Sequence, residues 1–318
     1  MPDVTALGEL LIDFNFEGSN DDGYPVLSAH PGGAIGNFLA ALAKRGVSTA
    51  YIAKVGDDAF GHMLKKTVVD AGIDATGIVI DPDWFTTLAF VTLDETGDRE
   101  FSFARKPGAD TQLRYDQVPL ELIRNAKVFH IGTLSLTGEP SRSATYKAVA
   151  YAKSCGCLIS LDPNLRPPLW SGPEEAKTQM CWALEQADIV KISEDEVEFL
   201  FGMTPEAGAA HILEKFGVRL VFVTLGKNGC LFMNRRASGR VANYNSVRTI
   251  DTCGAGDIFG GSALYGVLQS GRAPEELEED ELRRITSFAC AAASLSTTKH
   301  GGISSVPETD DVLKLMAE

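Results

Sequence analysis

Short apolar runs separated by stretches of helical period recur over most of this chain, and that alternation limits its possible folds more than any other feature. "VTALGELLIDF" (4–14) precedes a helical pattern over 34–45, and "STAYIAKVG" (48–56) precedes one over 58–72. Further on, "KVFHIGTL" (127–134) leads to 140–154 and "CLISLDP" (157–163) to 173–186, followed by "DIVKIS" (188–193) and "LVFVTLG" (220–226). A buried run followed by a helix is a βα unit, and successive units build a mostly parallel sheet covered on both faces. The expected fold class is α/β, a three-layer α/β/α domain spanning 1–318. A chain of 318 residues, 44% of them apolar, can bury a core of that size.

Two stretches interrupt the rhythm. Residues 85–110, "FTTLAFVTLDETGDREFSFARKPGAD", read as two alternating strands around the turn "DETGD". Residues 14–30, "FNFEGSNDDGYPVLSAH", are short, turn-rich and non-helical. Together they predict a small β lid over the carboxyl edge of the sheet, where open α/β sheets bind ligands. The plainer reading is a set of ornamental edge strands.

Charge and composition remove several function classes. With 29 Lys and Arg against 43 Asp and Glu the net charge is −14, which argues against a nucleic-acid partner. Part of the acid excess lies in "PEELEEDELRR" (274–284), the pattern of a solvated helical face. No apolar run reaches eighteen residues, and "MPDVTALGELLIDF" lacks a basic start and a cleavage site, so a soluble, cytoplasmic protein without a membrane partner is expected. The six cysteines are scattered and read as reduced thiols rather than a zinc site. The five histidines show no metal-ligand spacing; His130 in "KVFHIG" reads as a strand residue. No G-x-S-x-G or H-E-x-x-H motif argues for hydrolysis.

The densest chemical signal is "DTCGAGDIFGG" (251–261). It follows an expected strand, "NSVRTIDT" (245–252), and opens a helix that runs from Asp257 to near Gly271. Gly254, Ala255 and Gly256 thus stand at a helix N-terminus, where unpaired N–H groups and the positive end of the dipole attract an anion and tiny side chains let phosphate approach. Asp257 by itself reads as a helix-start acid. Beside an anion loop, its carboxylate also suits phosphoryl transfer as acceptor of a hydroxyl proton. The other phosphate loops fit less well. A G-x-x-x-x-G-K-[ST] motif is missing, and Phe259 occupies the third glycine position of a dinucleotide fingerprint.

"DTCGAGD" resembles the D-T-x-G-A-G-D signature of the ribokinase (PfkB) family of carbohydrate kinases, and the likeness runs from "GELLIDF" to "SSVP". The resemblance implies a ribokinase-like fold, with Asp257 as catalytic base and the amides of Gly254, Ala255 and Gly256 as the anion hole. Asp13, Gly32, Gly33 and Asn37 have the chemistry to chelate vicinal hydroxyls, although an ordinary strand end and glycine turn would read the same way. The likeness of "HPGGAIGNFLAALAKRG" (30–46) and "VGDDAFG" (55–61) to the family's first signature implies that Asp13, Gly33 and Asn37 bind the sugar.

"LDPNLRPPLW" (161–170) is similar to a loop of bacterial fructokinases and 2-keto-3-deoxygluconate kinases. That likeness implies active-site roles for Asn164 and for Arg166, whose planar fork suits a transferring phosphate. In "KISEDEVEFLFG" (191–202) Ser193 and Glu196 read first as a capping box. Where the family carries N-x-x-E, Ser193 replaces the asparagine, while Glu196 matches and is expected to act on Mg²⁺ through water. "VTLGKNGC" (223–230) reads as a hairpin turn and by resemblance as a nucleotide segment, giving Thr224, Gly226 and Gly229 as ATP contacts, with Cys290 near the base. Asp251, the backbones of Cys253 and Gly301, and Ser305 are implied holders of a monovalent cation such as K⁺.

Arg105, on the second lid strand, is expected to point into the cleft, with Phe101 and Phe103 offering an apolar wall to the sugar or packing under the lid. The combined pattern implies transfer from ATP to the 6-hydroxyl of D-fructose, with 2-keto-3-deoxygluconate as the competing acceptor. A nucleotide- or sugar-sensing protein without turnover is the non-enzyme alternative, and a dinucleotide oxidoreductase stands third. A monomer and a homodimer joined through the lid strands are both compatible with the sequence.

Overall fold

The computed structural model describes residues 1–93 and 99–318. Its strands are β1 (Val4–Leu7), β2 (Leu11–Ser19), β3 (Pro25–Gly32), β4 (Thr49–Gly56), β5 (Ile78–Asp81), β6 (Leu88–Leu93), β7 (Arg99–Ala104), β8 (Val128–Ile131), β9 (Leu158–Leu161), β10 (Ile189–Ser193), β11 (Leu220–Thr224), β12 (Cys230–Asn234) and β13 (Ser238–Val241). The helices are α1 (Ala34–Ala43), α2 (Ala59–Asp70), α3 (Leu120–Arg124), α4 (Ser141–Ser154), α5 (Pro173–Gln186), α6 (Glu194–Phe201), α7 (Pro205–Phe216), α8 (Ala255–Ser270), α9 (Glu279–Ser296) and α10 (Thr309–Ala317).

Nine strands form one sheet in the order β13-β12-β11-β10-β9-β8-β1-β4-β5. From β11 to β5 every pairing is parallel, and the antiparallel hairpin strands β12 and β13 close one edge. Side-chain alternation divides the core in two. On β11, Leu220 and Phe222 pack with α1, α8, α9 and α10, while Val221 and Val223 pack with the layer of α3 to α7. This is the expected ribokinase-like three-layer arrangement.

The opening run 4–14 behaves differently from a single strand. It breaks at Gly8–Leu10, so that β1 lies in the large sheet and β2 in a second, four-stranded sheet of order β3-β2-β6-β7. Gly8 permits the break, because a Cβ there would stand 2.4 Å from Ile35 Cγ1 on α1. The two interrupting stretches of the sequence thus share the smaller sheet, with β2 parallel to β6 and antiparallel to β3. The "DETGD" turn at 94–98 and the side chain of Phe101 lie outside the described residues. Asp58 links the smaller sheet to the large one: it caps α2 through Gly61 N–H (2.8 Å) and also accepts from the Thr86 N–H (2.8 Å) and hydroxyl (2.9 Å), just before β6.

The expected strand over 245–252 is absent from its place: those residues form turns and bends. Their polar groups bond to neighbouring loops instead of a ladder. Asn245 donates to the Lys227 carbonyl (3.0 Å), and the N–H groups of Ile250 and Asp251 both donate to the Thr297 carbonyl at the end of α9 (2.7 and 3.0 Å). No helix among the described residues is long and apolar enough to cross a membrane.

Candidate active site

α8 starts two residues before Asp257, because Gly254 takes the N-cap position with φ 75°. That left-handed conformation favours glycine, and the packing requires it as well: a Cβ would lie 2.9 Å from Gly302 Cα and 3.0 Å from Asn37 Nδ2. The first i→i−4 bond of the helix runs from Ile258 N–H to the Gly254 carbonyl (2.9 Å), so the N–H groups of Gly256 and Asp257 precede the ladder. The Ala255 N–H makes a long bond to the Thr252 carbonyl (3.3 Å).

Asp257 is 9% exposed and is held between two amides. Asn37 Nδ2 on α1 donates to Oδ2 at 2.9 Å, and Asn164 Nδ2 donates to Oδ1 at 3.3 Å. Asn164 is the one non-glycine residue with positive φ (52°) among the described residues, a conformation that asparagine adopts more readily than most. Burial raises the Asp257 pKa; Lys191, the Asn37 bond and Arg166 oppose that shift without cancelling it.

Two cavities meet at this turn, at the carboxyl ends of the parallel strands. The first, of about 240 Å³, is lined by Glu9, Asp13, Gly33, Asn37, Phe103, Leu134, Asn164, Arg166, Cys253, Gly254 and Asp257 among others. The second, of about 470 Å³, is lined by Ser193, Thr224, Gly226, Gly229, Tyr244, Ala255, Cys290 and Thr297 among others. They share Lys191, Thr252 and Gly256. A small polar, acid-lined chamber thus opens onto a larger one through the N-terminus of α8. Such a geometry has the chemistry to take a hydroxylated ligand on one side and a phosphate-bearing one on the other, with a carboxylate at the junction.

The remaining sequence candidates divide into those that reach a cavity and those that support it. Asp13 reaches the smaller cavity, and burial pushes its pKa up to about 6. Gly32 makes room for it, since a Cβ there would lie 2.1 Å from Asp13 Oδ2. Arg105 lies elsewhere than expected. It is 6% exposed and absent from the cavity wall. Its Nε donates to Asp110 at 2.8 Å, one terminal nitrogen reaches both Asp110 (2.7 Å) and the Leu134 carbonyl (2.9 Å), and the other donates to Thr137 Oγ1 (2.8 Å). The reason is local: Asp110 follows five residues later across the Pro107–Gly108 bend and captures the guanidinium.

Glu196 lines neither cavity. Its oxygens accept from Leu165 N–H (2.7 Å) and Ser193 N–H (2.8 Å), completing the capping box and tying α6 to the Asn164–Arg166 loop. Asp251 Oδ1 accepts from Cys253 N–H (2.9 Å) and Oδ2 from Gly301 N–H (3.1 Å), while Ser305 Oγ donates to the Gly302 carbonyl (2.8 Å), so the implied cation holders gather where the 251–254 and 300–305 loops meet. All six cysteines are free thiols, and burial pushes the Cys290 pKa to about 12.

Sequence reasoning passed over Lys191, Asp162 and Glu9. Lys191 Nζ binds both oxygens of Asp162 (3.0 and 3.2 Å). Burial lifts the Asp162 pKa to about 7, against the pull of Lys191. Burial opposes the Lys191 charge, but Asp162, Glu196 and Asp257 outweigh it and hold its pKa above the ordinary lysine value. Glu9 accepts from the Ala34 N–H at the start of α1 (2.8 Å), and burial raises its pKa to about 7. The available signal was a charge inside an apolar run, Lys191 in "DIVKIS" and Glu9 in "VTALGELLIDF": a buried charge requires a partner.

A model of the pfkB family carbohydrate kinases matches residues 1–309. The chain belongs to the pfkB family. It is 42% identical over 318 residues to the probable fructokinase-3 of Arabidopsis thaliana, covering 99% of this chain and 91% of the relative. Among solved structures, the ATP-bound fructokinase of Xylella fastidiosa superposes with a TM-score of 0.90 at 28% identity, covering 100% of this chain and 99% of that one. A double mutant of the Vibrio cholerae fructokinase, bound to fructose, ADP and potassium, gives 0.86 at 31% identity, covering 99% and 98%. As a pfkB-family chain this protein is a carbohydrate kinase, and among the described residues the family's D-T-x-G-A-G-D signature, here 251–257, sits at the junction of its two cavities.

Proposed function

We propose that this kinase transfers the γ-phosphoryl group of ATP to the 6-hydroxyl of D-fructose. The observation that carries the reading is the Asp257 carboxylate, held by Asn37 and Asn164 at the meeting point of a hydroxyl-binding cavity and a nucleotide-sized one. The names of the relatives supply the sugar.

In the proposed mechanism Asp13 accepts hydrogen bonds from sugar hydroxyls. Asn37 Oδ1, a buried acceptor without a hydrogen-bond partner among the described residues, receives another. The primary hydroxyl then lies against Asp257, which takes its proton as the phosphoryl group arrives. A base held above the usual carboxylate range by burial is better matched to neutral pH than an exposed aspartate. The N–H groups at the start of α8 face the migrating group and offset its charge, and Arg166 at the cavity wall adds a fork for its oxygens. Thr224, Gly226 and Gly229 border the nucleotide, and Cys290 its base. The smaller sheet acts as the lid: Phe103 on β7 lines the sugar cavity, so closure would exclude water that otherwise hydrolyses ATP.

Magnesium enters with the nucleotide as part of the substrate. Glu196, expected to reach it through water, lies outside both cavity walls and holds α6 against the 164–166 loop, while its Oε1 keeps a lone pair that a metal-bound water could reach. Asp251, with Cys253, Gly301 and Ser305, would hold a monovalent cation beside the anion loop, supplying positive charge near the transferring group.

Arg105 bears on the competing acceptor. A 2-keto-3-deoxygluconate carboxylate needs a cation, and all three nitrogens of Arg105 already have partners inside the protein. The cations that do line the cavity, Arg166 and Lys191, stand at its phosphoryl end, and the acids Glu9, Asp13 and Asp257 outnumber them, which favours a neutral polyol. A coupled ADP-release assay over fructose, 2-keto-3-deoxygluconate, ribose and adenosine tests the assignment. Fructose is expected to give the highest kcat/KM, and a preference for the keto acid would overturn the reading.

A further inference from the structure

Among the described residues Lys191 is the only side-chain cation common to both cavities. It projects from β10 on the face covered by α8, with a side chain 12% exposed. An ideal Cβ on Gly256 would lie 3.0 Å from its Nζ, which places the ammonium beside the first turn of α8, next to the N–H groups assigned to the migrating phosphoryl group. Among the described residues the hydrogen bonds of Nζ go to Asp162 alone, so one of its three protons is uncommitted.

A buried ammonium is costly, and a residue needed only for packing between Ile189 and Phe222 would be apolar. Here the charge is retained, aligned by a carboxylate that is itself 5% exposed, and set in the passage between donor and acceptor. We propose that Lys191 is a catalytic residue of the phosphoryl transfer and that Asp162 is the positioning residue that aims it. Its ammonium bonds an oxygen of the γ-phosphoryl group while that group crosses from the nucleotide cavity to the sugar cavity. The bond from phosphorus to the ADP oxygen breaks, the bond from phosphorus to the sugar oxygen forms, and the hydroxyl proton goes to Asp257. Lys191 keeps its own proton throughout and compensates charge spread over the equatorial oxygens. The inference rests on the kinase reading of the site but not on which sugar is the acceptor.

The test compares Lys191→Met, Lys191→Arg and Asp162→Asn with the wild type on whichever acceptor of the sugar panel the wild type turns over fastest. Lys191→Met should lose roughly 100- to 1000-fold in kcat, the range seen for loss of one preorganised donor to a transition-state oxyanion. Its KM for sugar and Kd for ADP alone should stay within threefold. Binding of ADP with aluminium fluoride and sugar, a mimic of the group in flight, should weaken about as much as kcat falls. Lys191→Arg should recover part of the loss, and Asp162→Asn should lose only about tenfold, because the cation remains. A Lys191→Met enzyme within threefold of wild-type kcat overturns the proposal, and so does one whose ADP affinity falls as far as its affinity for the aluminium fluoride complex. If Lys191→Met fails to fold, the Lys191→Met/Asp162→Leu pair, which removes both charges, must show the same selective loss. Failure of the acceptor reading appears separately, as a wild-type preference for a sugar other than fructose.

Discussion

Replacing Asp257 by Asn isolates the proton-accepting role, because the change keeps the shape of the side chain while removing its basicity. General-base assistance contributes about 10²- to 10⁴-fold, so kcat should fall by that factor, roughly 2.7–5.4 kcal/mol of barrier. The structure indicates what should not change. Asn37 and Asn164 both donate to the carboxylate, so an amide at 257 turns one of these contacts into two opposed donors. The longer bond, 3.3 Å to Asn164, is the one expected to yield, by rotation of the Asn164 amide. That adjustment costs about 1 kcal/mol, and removal of a buried charge offsets it, so thermal stability should change little. Neither amide touches the larger cavity, so the affinity for ADP should stay within about threefold. The assay is coupled ADP release over pH 5 to 9, with calorimetric ADP titration and a melting curve. In the wild type kcat/KM should fall as pH drops through the raised pKa of Asp257, because the protonated acid can no longer accept; the variant should lack that limb. A variant within tenfold of wild-type turnover, or one that loses ADP affinity in proportion to kcat, would refute the assignment.

Other perturbations have equally definite outcomes. Gly254→Ala forces a side chain into φ 75°, for about 1–2 kcal/mol, and against Gly302 and Asn37; calorimetry should show a melting point lower by several degrees, and kcat should fall with it. Arg105→Leu leaves Asp110 buried without its guanidinium and should cost about 3–5 kcal/mol in urea unfolding; a loss below 1 kcal/mol would show that the pair does not hold this loop. Glu9→Gln keeps an acceptor for the Ala34 N–H but cannot ionise. Folded Glu9 has its pKa raised from 4.5 to about 7, so its protonated form is favoured and wild-type stability from this group declines as pH rises from about 4.5 to 7. The unfolding free energy of the variant relative to wild type, measured in urea, should therefore grow between pH 5 and pH 8, toward about 3 kcal/mol; a constant difference would count against the shift.

Much of the fold and the chemistry was legible because periodicity and glycine placement are local. The βα alternation reports which faces are buried, and "GAGD" reports a helix entrance that only tiny residues can form. What the sequence hid depends on long-range pairing. Arg105 is expected in the cleft from the resemblance of the lid strand to those of fructokinases and 2-keto-3-deoxygluconate kinases, whereas the turn at 106–107 brings Asp110 back to it and the pair closes inside the protein. The stretch 245–252 has strand composition, but strand formation needs an unpaired neighbouring edge, and the N–H groups of Ile250 and Asp251 are taken by Thr297. The break of 4–14 into two sheets is invisible to alternation, since both halves are apolar; only the close approach of Ile35 to Gly8 marks the corner. Lys191 and Asp162 lie in separate βα units, and the sheet order that places β10 beside β9 is what joins them.

The partition between the two cavities consists of Lys191, Thr252 and Gly256. A party wall this thin cannot be altered for one tenant only: bulk added at Thr252 or Gly256 should move the Michaelis constants of sugar and nucleotide together. The far ends are independent rooms, Asp13 on one side and Cys290 on the other, and acceptor preference and base preference can drift there separately over evolution or be redesigned one at a time.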